Sequence, residues 1–350
     1  MTINPQEMTI VVLQGGVSAE REVSLRSGAN ISEGLKQLGF TVVVLDAADL
    51  DFIEELRRLK PDLVFNALHG RYGEDGTIQG LLEILDIPYT GSGVLASALA
   101  MNKQASKDIF EQASLTTPRG RLVTADDLGA CALPAISAAV DHEDDAQASH
   151  MDELYAQLVQ ELGTHHLAIK PNGEGSSVGV SLIDTPEQFP SALRDAMGGE
   201  GWTSSSEEKS LQPALVEEYI PGRELTVSVL GDAGNGAKAL PVIEIIPKTD
   251  FYHYENKYAA GATRFVVPAE LDSATTDSCQ ALAVAAHNAL GCQGYSRSDI
   301  RLCADGTAYL LEVNTLPGLT SGSLIPRAAE AAGIELPELL MTIVGYALLK

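Results

Sequence analysis

The chain has 350 residues, 45% of them hydrophobic and 20% charged, so it exceeds one ordinary core, predicts two or three domains, and is not globally disordered. Its formal net charge of −25 argues against a nucleic-acid or anionic-membrane partner, since both need a basic footprint. A local basic pocket for phosphate remains compatible with that charge.

Residues 1–7 are polar and precede only five apolar-leaning residues, 9–13, which read as a buried first strand and not as a signal peptide. The strand stops at Gly15 and Gly16. A helix is expected next, with Ile31, Leu35 and Leu38 on one face and Gly39 as its stop. A second strand, 41–45, ends at Asp46, and Phe52, Leu56 and Leu59 mark a second helix. A third strand, 63–67, runs into a loop over 69–76, and Ile78, Leu81, Leu82 and Leu85 mark a third helix. Continuous apolar strands alternating with helices predict a parallel sheet covered on both faces. Ligands of such sheets sit at the carboxyl ends of strands, so the loops after Leu13 and Ala67 are the places to look.

Residues 88–93 read as a boundary closing an N-terminal domain over 1–93. The middle, 94–219, is mixed. Within it, the acidic 141–152 and the Ser/Glu-rich 202–210 read as surface insertions without chemistry. From 220 to 350 the chain looks α+β, with strands over 225–230, 240–246 and 308–313 and a packing helix over 336–348. No apolar run approaches the ~20 residues of a membrane span. Cys131, Cys279, Cys292 and Cys303 form no CxxC pair and have no His at metal-ligand spacing; they read as small buried hydrophobes in a reducing compartment. The expectation is a soluble, cytoplasmic protein.

Six segments carry side chains that suit chemistry. Residues 170–179 hold Lys170, three glycines, Ser176 and Ser177 between an apolar strand and 180–183, a second strand. Glycines let backbone N–H groups approach an anion, hydroxyls add donors, and the lysine adds a point charge. That suits a flap over phosphates; the alternative is an ordinary glycine-rich hairpin, and no Walker A or GxGxxG pattern is present. Asp299, Glu312 and Asn314 form the second group. Glu312 and Asn314 lie two apart on a strand and so share a face. Two carboxylates and an amide oxygen suit magnesium, a hard cation with oxygen ligands; the alternative is a solvated sheet edge.

Residues 217–224 follow a strand into a Pro-Gly linker that can offer backbone groups to a base edge, with Glu224 placed for a ribose, or else form a plain acidic turn. Residues 251–261 are rich in tyrosine with one Lys and one His, and lack periodicity, as in a loop closing over a site or a surface loop. Residues 316–326 are small residues leading into a helix whose first N–H groups can hold a carboxylate or oxyanion, with Arg297 a further candidate. Last, Glu20 opens the helix after the first strand, where it complements the helix dipole or holds a substrate ammonium.

Taken in chain order, these segments resemble the D-alanine–D-alanine ligases of the ATP-grasp superfamily. The match runs through 15–24, 68–70 with 73–76, 89–93, 170–179, 254–258, 297–299 and 311–323, and covers essentially the whole chain. The resemblance implies an N-terminal Rossmann-like parallel-sheet domain and two ATP-grasp domains sandwiching ATP, the central one carrying the phosphate loop and the C-terminal one the closing loop and metal ligands. It implies that Lys103 and Lys170 contact ATP phosphates under the Ser176–Ser177 loop. Glu217, Glu218 and Ile220 would face adenine, Glu224 the ribose, and Lys257 the γ-phosphate.

Asp299, Glu312 and Asn314 would hold two Mg2+ or Mn2+ ions, and K+ is a further candidate cofactor. Glu20 would hold the first D-alanine's ammonium with His69 near its carboxylate. Ser323 and the N–H of Leu324 would hold the second D-alanine's carboxylate, and Arg297 and the N–H of Gly318 the oxyanion. Tyr258, Ser176 and Glu20 would link the closing loop to the N-terminal domain. The implied activity makes D-Ala-D-Ala for peptidoglycan through a D-alanyl phosphate, in a homodimer with no nucleic-acid or membrane partner. The insertions near Asp141 and Ser205 and the loop residue His253 have no assigned role.

Three rivals share parts of this pattern. Ester-forming D-alanine–D-lactate ligases typically replace the tyrosine at position 258 with His or Phe, and this chain has Tyr258. Another ATP-grasp ligase should lack the Glu20 and Ser323 segments. A non-catalytic ATP-binding regulator should have lost Lys257, Arg297 or the metal trio.

Overall fold

The computed structural model describes residues 3–128, 145–175, 179–198, 211–248 and 263–349. Three sheets organise them. The first comes from β1 (Thr9–Gln14), β2 (Thr41–Asp46) and β3 (Leu63–Asn66), in the parallel order β2-β1-β3. Helices α1 (Arg21–Gln37), α2 (Phe52–Leu59) and α3 (Thr77–Ile84) connect and flank them. Alternation along β1 sends Ile10 and Val12 to one apolar cluster, with Ile31 and Leu35 of α1, and Val11 and Leu13 to another, with Leu56, Ile78 and Leu82. Both faces are covered, as expected for a parallel sheet. The edge strand β2 is only half-buried, and Val44 is exposed.

Helices α4 (Val94–Met101) and α5 (Lys103–Gln112) follow, then β4 (Gly120–Val123), α6 (Asp145–Leu162), β5 (Leu167–Pro171), β6 (Ser181–Ile183), α7 (Phe189–Met197) and β7 (Ala214–Glu218). The four strands form an antiparallel sheet in the order β4-β7-β5-β6. Here one expectation is corrected. Residues 145–152 are not a surface insertion but the first turns of α6, whose buried Met151, Leu154, Tyr155, Leu158 and Leu162 recur at helical spacing against this sheet. The acidic composition masked that period, whose first described buried member is Met151. Residues 202–210 and 141–144 lie outside the described residues.

The third sheet is built from β8 (Arg223–Asp232), β9 (Asn235–Ala239), β10 (Ile243–Pro247), β11 (Thr263–Val266), β12 (Tyr295–Leu302) and β13 (Ala308–Asn314), with α8 (Ser273–Ala289) packed across it. All its pairings are antiparallel. The strand expected over 240–246 begins at Ile243 instead, because Pro241 interrupts it. Helices α4 and α5 pack on this third layer, where Ala100 and Phe110 join Val227, Ile300 and Val313 in one core. The last helices, α9 (Leu324–Ala331) and α10 (Leu336–Ala347), turn back to the first layer: Leu340, Ile343 and Val344 of α10 pack with Ile31 and Leu35 of α1. Cys279 and Cys292 are buried free thiols, as expected, whereas Cys303 is only half-buried. No described helix is long and apolar enough to cross a membrane.

Candidate active site

Two clefts meet in the body of the molecule. The first lies between the four-stranded and six-stranded sheets. Lys103, Lys170, Glu217, Glu218, Ile220, Glu224, Asp299 and Glu312 all line it. Strand alternation explains the placement. On β5, Leu167 and Ile169 point into the central core while Ala168 and Lys170 face the cleft; on β7, Ala214 and Val216 point inward while Glu217 faces the cleft. Lys103 is the first residue of α5, which Asn102 caps by accepting from the Ala105 N–H at 3.0 Å. The Lys103 N–H donates to the Asn172 carbonyl at 3.0 Å, tying the helix to the loop after β5. Its ammonium donates to the Glu174 carbonyl and stands 3.5 Å from Glu312 Oε2.

The walls are heavily paired. Glu217 is almost fully buried between Lys107, at 2.6 Å, and Lys170. Burial alone would raise its carboxyl, but the two lysines outweigh it and hold it below the usual range. Glu218 accepts from Arg119 at 2.8 Å, and Glu224 lies 3.4 Å from Arg301. Lys107 and Arg301 are site residues that sequence reasoning missed. Lys107 lies one helical turn after Lys103 on α5, the spacing that could have exposed it.

Asp299 and Glu312 are directly opposed across β12 and β13, and Arg297 is opposed to Asn314. A register shift between Asp299 and Ile300 makes Leu311 a bulge, since Asp299 pairs with Glu312 and Ile300 with Leu310. Without it, Leu310 and Glu312 would share a face. With it, Leu310 enters the core and Glu312 enters the cleft beside Asn314. Arg297 grips Asp299 through two bonds, Nε to Oδ1 at 2.9 Å and Nη2 to Oδ2 at 2.8 Å, and Thr226 Oγ1 donates to Oδ1 at 2.7 Å.

The second cleft opens under the N-terminal sheet. Glu20, His69, Glu74, Arg297, Asn314, Gly318, Ser323 and Leu324 line it, and it shares Glu224, Asp299 and Glu312 with the first. Glu20 lies at the N-cap of α1, at the carboxyl end of β1, and His69 follows β3, so both loops singled out from the strand order reach the site. His69 is buried, with Nδ1 3.2 Å from Glu74 Oε1 and Nε2 3.3 Å from Ser27 Oγ. Burial raises the Glu74 carboxyl; the His69 hydrogen bond opposes this and neighbouring Glu20 reinforces it. Glu74 belonged to a quoted motif without a role, and Ser27 was missed.

Gly318 sits where three elements meet. A Cβ there would lie 3.2 Å from Ser323 Oγ and 3.6 Å from both His69 Nε2 and Ser27 Oγ. Asn30 of α1 holds the adjoining loop by donating to the Leu319 carbonyl at 2.6 Å. Ser323 precedes α9 as its N-cap, and its hydroxyl meets Thr320 Oγ1 at 2.7 Å. Ser176, Ser177, Lys257 and Tyr258 lie outside the described residues.

This arrangement of sheets and cleft belongs to the ATP-grasp class of folds. The sequence profile of the family described as D-ala D-ala ligase C-terminus matches residues 133–345, and that of the D-ala D-ala ligase N-terminus matches residues 46–92. Proteins named D-alanine–D-alanine ligase from Anaeromyxobacter dehalogenans and Geotalea uraniireducens are each 42% identical over 341 residues. The alignments cover 97% of this chain and 97% and 96% of theirs. The crystal structure of D-alanine–D-alanine ligase from Bacillus anthracis complexed with ATP superposes with a TM-score of 0.74 at 31% identity, covering 97% of both chains. The chain belongs to the D-alanine–D-alanine ligase family.

Proposed function

We infer that the protein is an ATP-dependent ligase that joins two D-alanines and supplies the dipeptide for peptidoglycan synthesis. The observation that carries this is the meeting of the two clefts at Asp299 and Glu312: a nucleotide's terminal phosphate in one would abut a carboxylate held in the other. Lys103 and Lys170 neutralise ATP phosphates, with Ser176, Ser177 and Lys257 as further phosphate contacts. Glu217, Glu218 and the Ile220 backbone face adenine, and Glu224 the ribose.

Glu20 binds the first D-alanine's ammonium and His69 its carboxylate. That carboxylate attacks the γ-phosphorus, releasing ADP and forming an acyl phosphate, because oxide itself is not a workable leaving group. The amine of the second D-alanine, held through its carboxylate by Ser323 and the Leu324 N–H, then attacks the acyl carbon. Arg297 and the Gly318 N–H stabilise the resulting oxyanion, and phosphate departs. Tyr258 links the closing loop through Ser176 to Glu20 and favours an amine over a hydroxyl as nucleophile, and the closing loop keeps water from the acyl phosphate.

Asp299, Glu312 and Asn314 offer the hard oxygen donors that Mg2+ or Mn2+ takes, on one face of two opposed strands. Bound there, the metal supplies charge neutralisation for the phosphates. We also propose the three-part division 1–93, 94–219 and 220–350, which the extents of the three sheets support, although α4 and α5 lean on the third sheet and the last two helices on the first. A cytoplasmic homodimer is the accompanying proposal. The test is to mix protein, ATP, Mg2+ and D-alanine and follow phosphate release and product mass. Folded protein without D-alanine-dependent phosphate release overturns the assignment.

A further inference from the structure

Lys107 takes no part in the steps above, yet it is one of the most deeply buried cations in the described chain. It projects from α5 one turn beyond Lys103. Its ammonium donates to Thr117 Oγ1 at 3.0 Å and to the Pro118 carbonyl, and forms an ion pair with Glu217 Oε1 at 2.6 Å. The other oxygen of Glu217 meets Lys170. Across the β4–β7 pairing, Gly120 stands opposite Glu217, and a Cβ there would lie 2.9 Å from Glu217 Cγ. The missing side chain therefore leaves space for the Glu217 side chain that spans both lysines. Burial pulls Lys107 down, with Glu217 opposing, while Glu217 stays below its usual range.

We propose that Lys107 is a positioning residue that fixes the Glu217 carboxylate as an acceptor-only wall of the nucleotide cleft and so makes the site select a 6-aminopurine over a 6-oxopurine. This rests on the reading of that cleft as the nucleotide site with Glu217 at the base. A carboxylate gripped from both sides by cations has no proton to give. It accepts from an exocyclic amine, whereas a 6-oxo group sets lone pairs against lone pairs. Buried polar groups left without partners are what make such discrimination large.

The experiment measures dissociation constants of ATP and inosine triphosphate by calorimetry on the full-length protein without D-alanine. Three forms are compared: wild type, Lys107→Met, and the double variant Lys107→Met/Glu217→Gln, whose neutral amide can donate as well as accept. Wild type is expected to prefer ATP by about tenfold or more. Lys107→Met should lose about tenfold in ATP affinity with little change for inosine triphosphate, collapsing the ratio. The double variant should bind both alike, and it carries the test if the single variant fails to fold. An undiminished ratio in either folded variant overturns the proposal. Wild type that binds both nucleotides equally also overturns it while leaving the nucleotide site standing; wild type that binds neither overturns the functional reading itself.

Discussion

His287 gives a stability prediction with a magnitude that follows from its surroundings. It is fully buried at the end of α8, behind the strand that carries Arg297 and Asp299. Its Nε2 lies 3.1 Å from the Gly231 carbonyl and its Nδ1 2.7 Å from Ser296 Oγ. A carbonyl only accepts, so the ring carries its proton on Nε2 and takes the Ser296 hydroxyl proton at Nδ1. Burial depresses the imidazolium from 6.5 to about 4, with the Gly231 carbonyl and Asp232 only partly opposing it.

The folded state therefore binds fewer protons than the unfolded chain between those two values. Stability from this group is fully present above about pH 6.5 and is lost as pH falls toward about 4. At 1.36 kcal/mol per unit, lowering pH from 7 to 5 should remove about 2 kcal/mol. Urea unfolding of wild type and His287→Gln at both pH values isolates the term from other titrating groups, since Gln can serve the same carbonyl without charging. The wild type should lose about 2 kcal/mol more than the variant over that interval. Equal losses would show that the ring is not held neutral by burial.

Glu312→Ala should lower D-alanine-dependent phosphate release by on the order of a hundredfold or more, the scale of losing one preorganised electrostatic stabiliser; near-normal turnover would refute the metal assignment. Chelation with EDTA should abolish turnover, and added Mg2+ or Mn2+ should restore it, read by the same assay. Gly318→Ala crowds Ser323 Oγ, His69 and Ser27. It should raise KM for D-alanine and lower kcat while leaving calorimetric ATP affinity unchanged; a shift in ATP affinity would dissociate residue 318 from the substrate cleft. Leu340→Ala at the fully buried contact between α10 and α1 should cost about 2–5 kcal/mol in urea unfolding. A loss below about 1 kcal/mol would mean that the C-terminal helix does not brace the N-terminal layer.

The N-terminal layer was legible because its signals are local. Each strand is a short apolar run ended by Gly or a polar residue, and each helix shows its period. Gly15 and Gly16 adopt φ of 75° and 76°, and the loop they open lines up with the one after β3. Helix α6 was not legible at its start, because an acidic stretch hid the first turns of an amphipathic face that begins at Met151. The pairing of β8 with β12 was beyond reach for another reason: the residues are about seventy apart, and nothing in either strand names its neighbour.

The candidate site divides along the same line. Residue types at Lys170, Glu312 and Asn314 were informative because polar groups in apolar strands need partners. Their partners were not, since distance between segments is set by tertiary packing. Arg297 was singled out for an oxyanion and Asp299 for a metal, and the fold clasps them together. The bulge shows why alternation alone gives an incomplete answer. Period-two reasoning places Glu312 with Asn314 correctly, because both lie beyond the bulge. The same reasoning would place Leu310 with them, in the cleft. One extra residue, Leu311, resets the phase, so that Leu310 and Val313 line the core while Glu312 and Asn314 line the cleft.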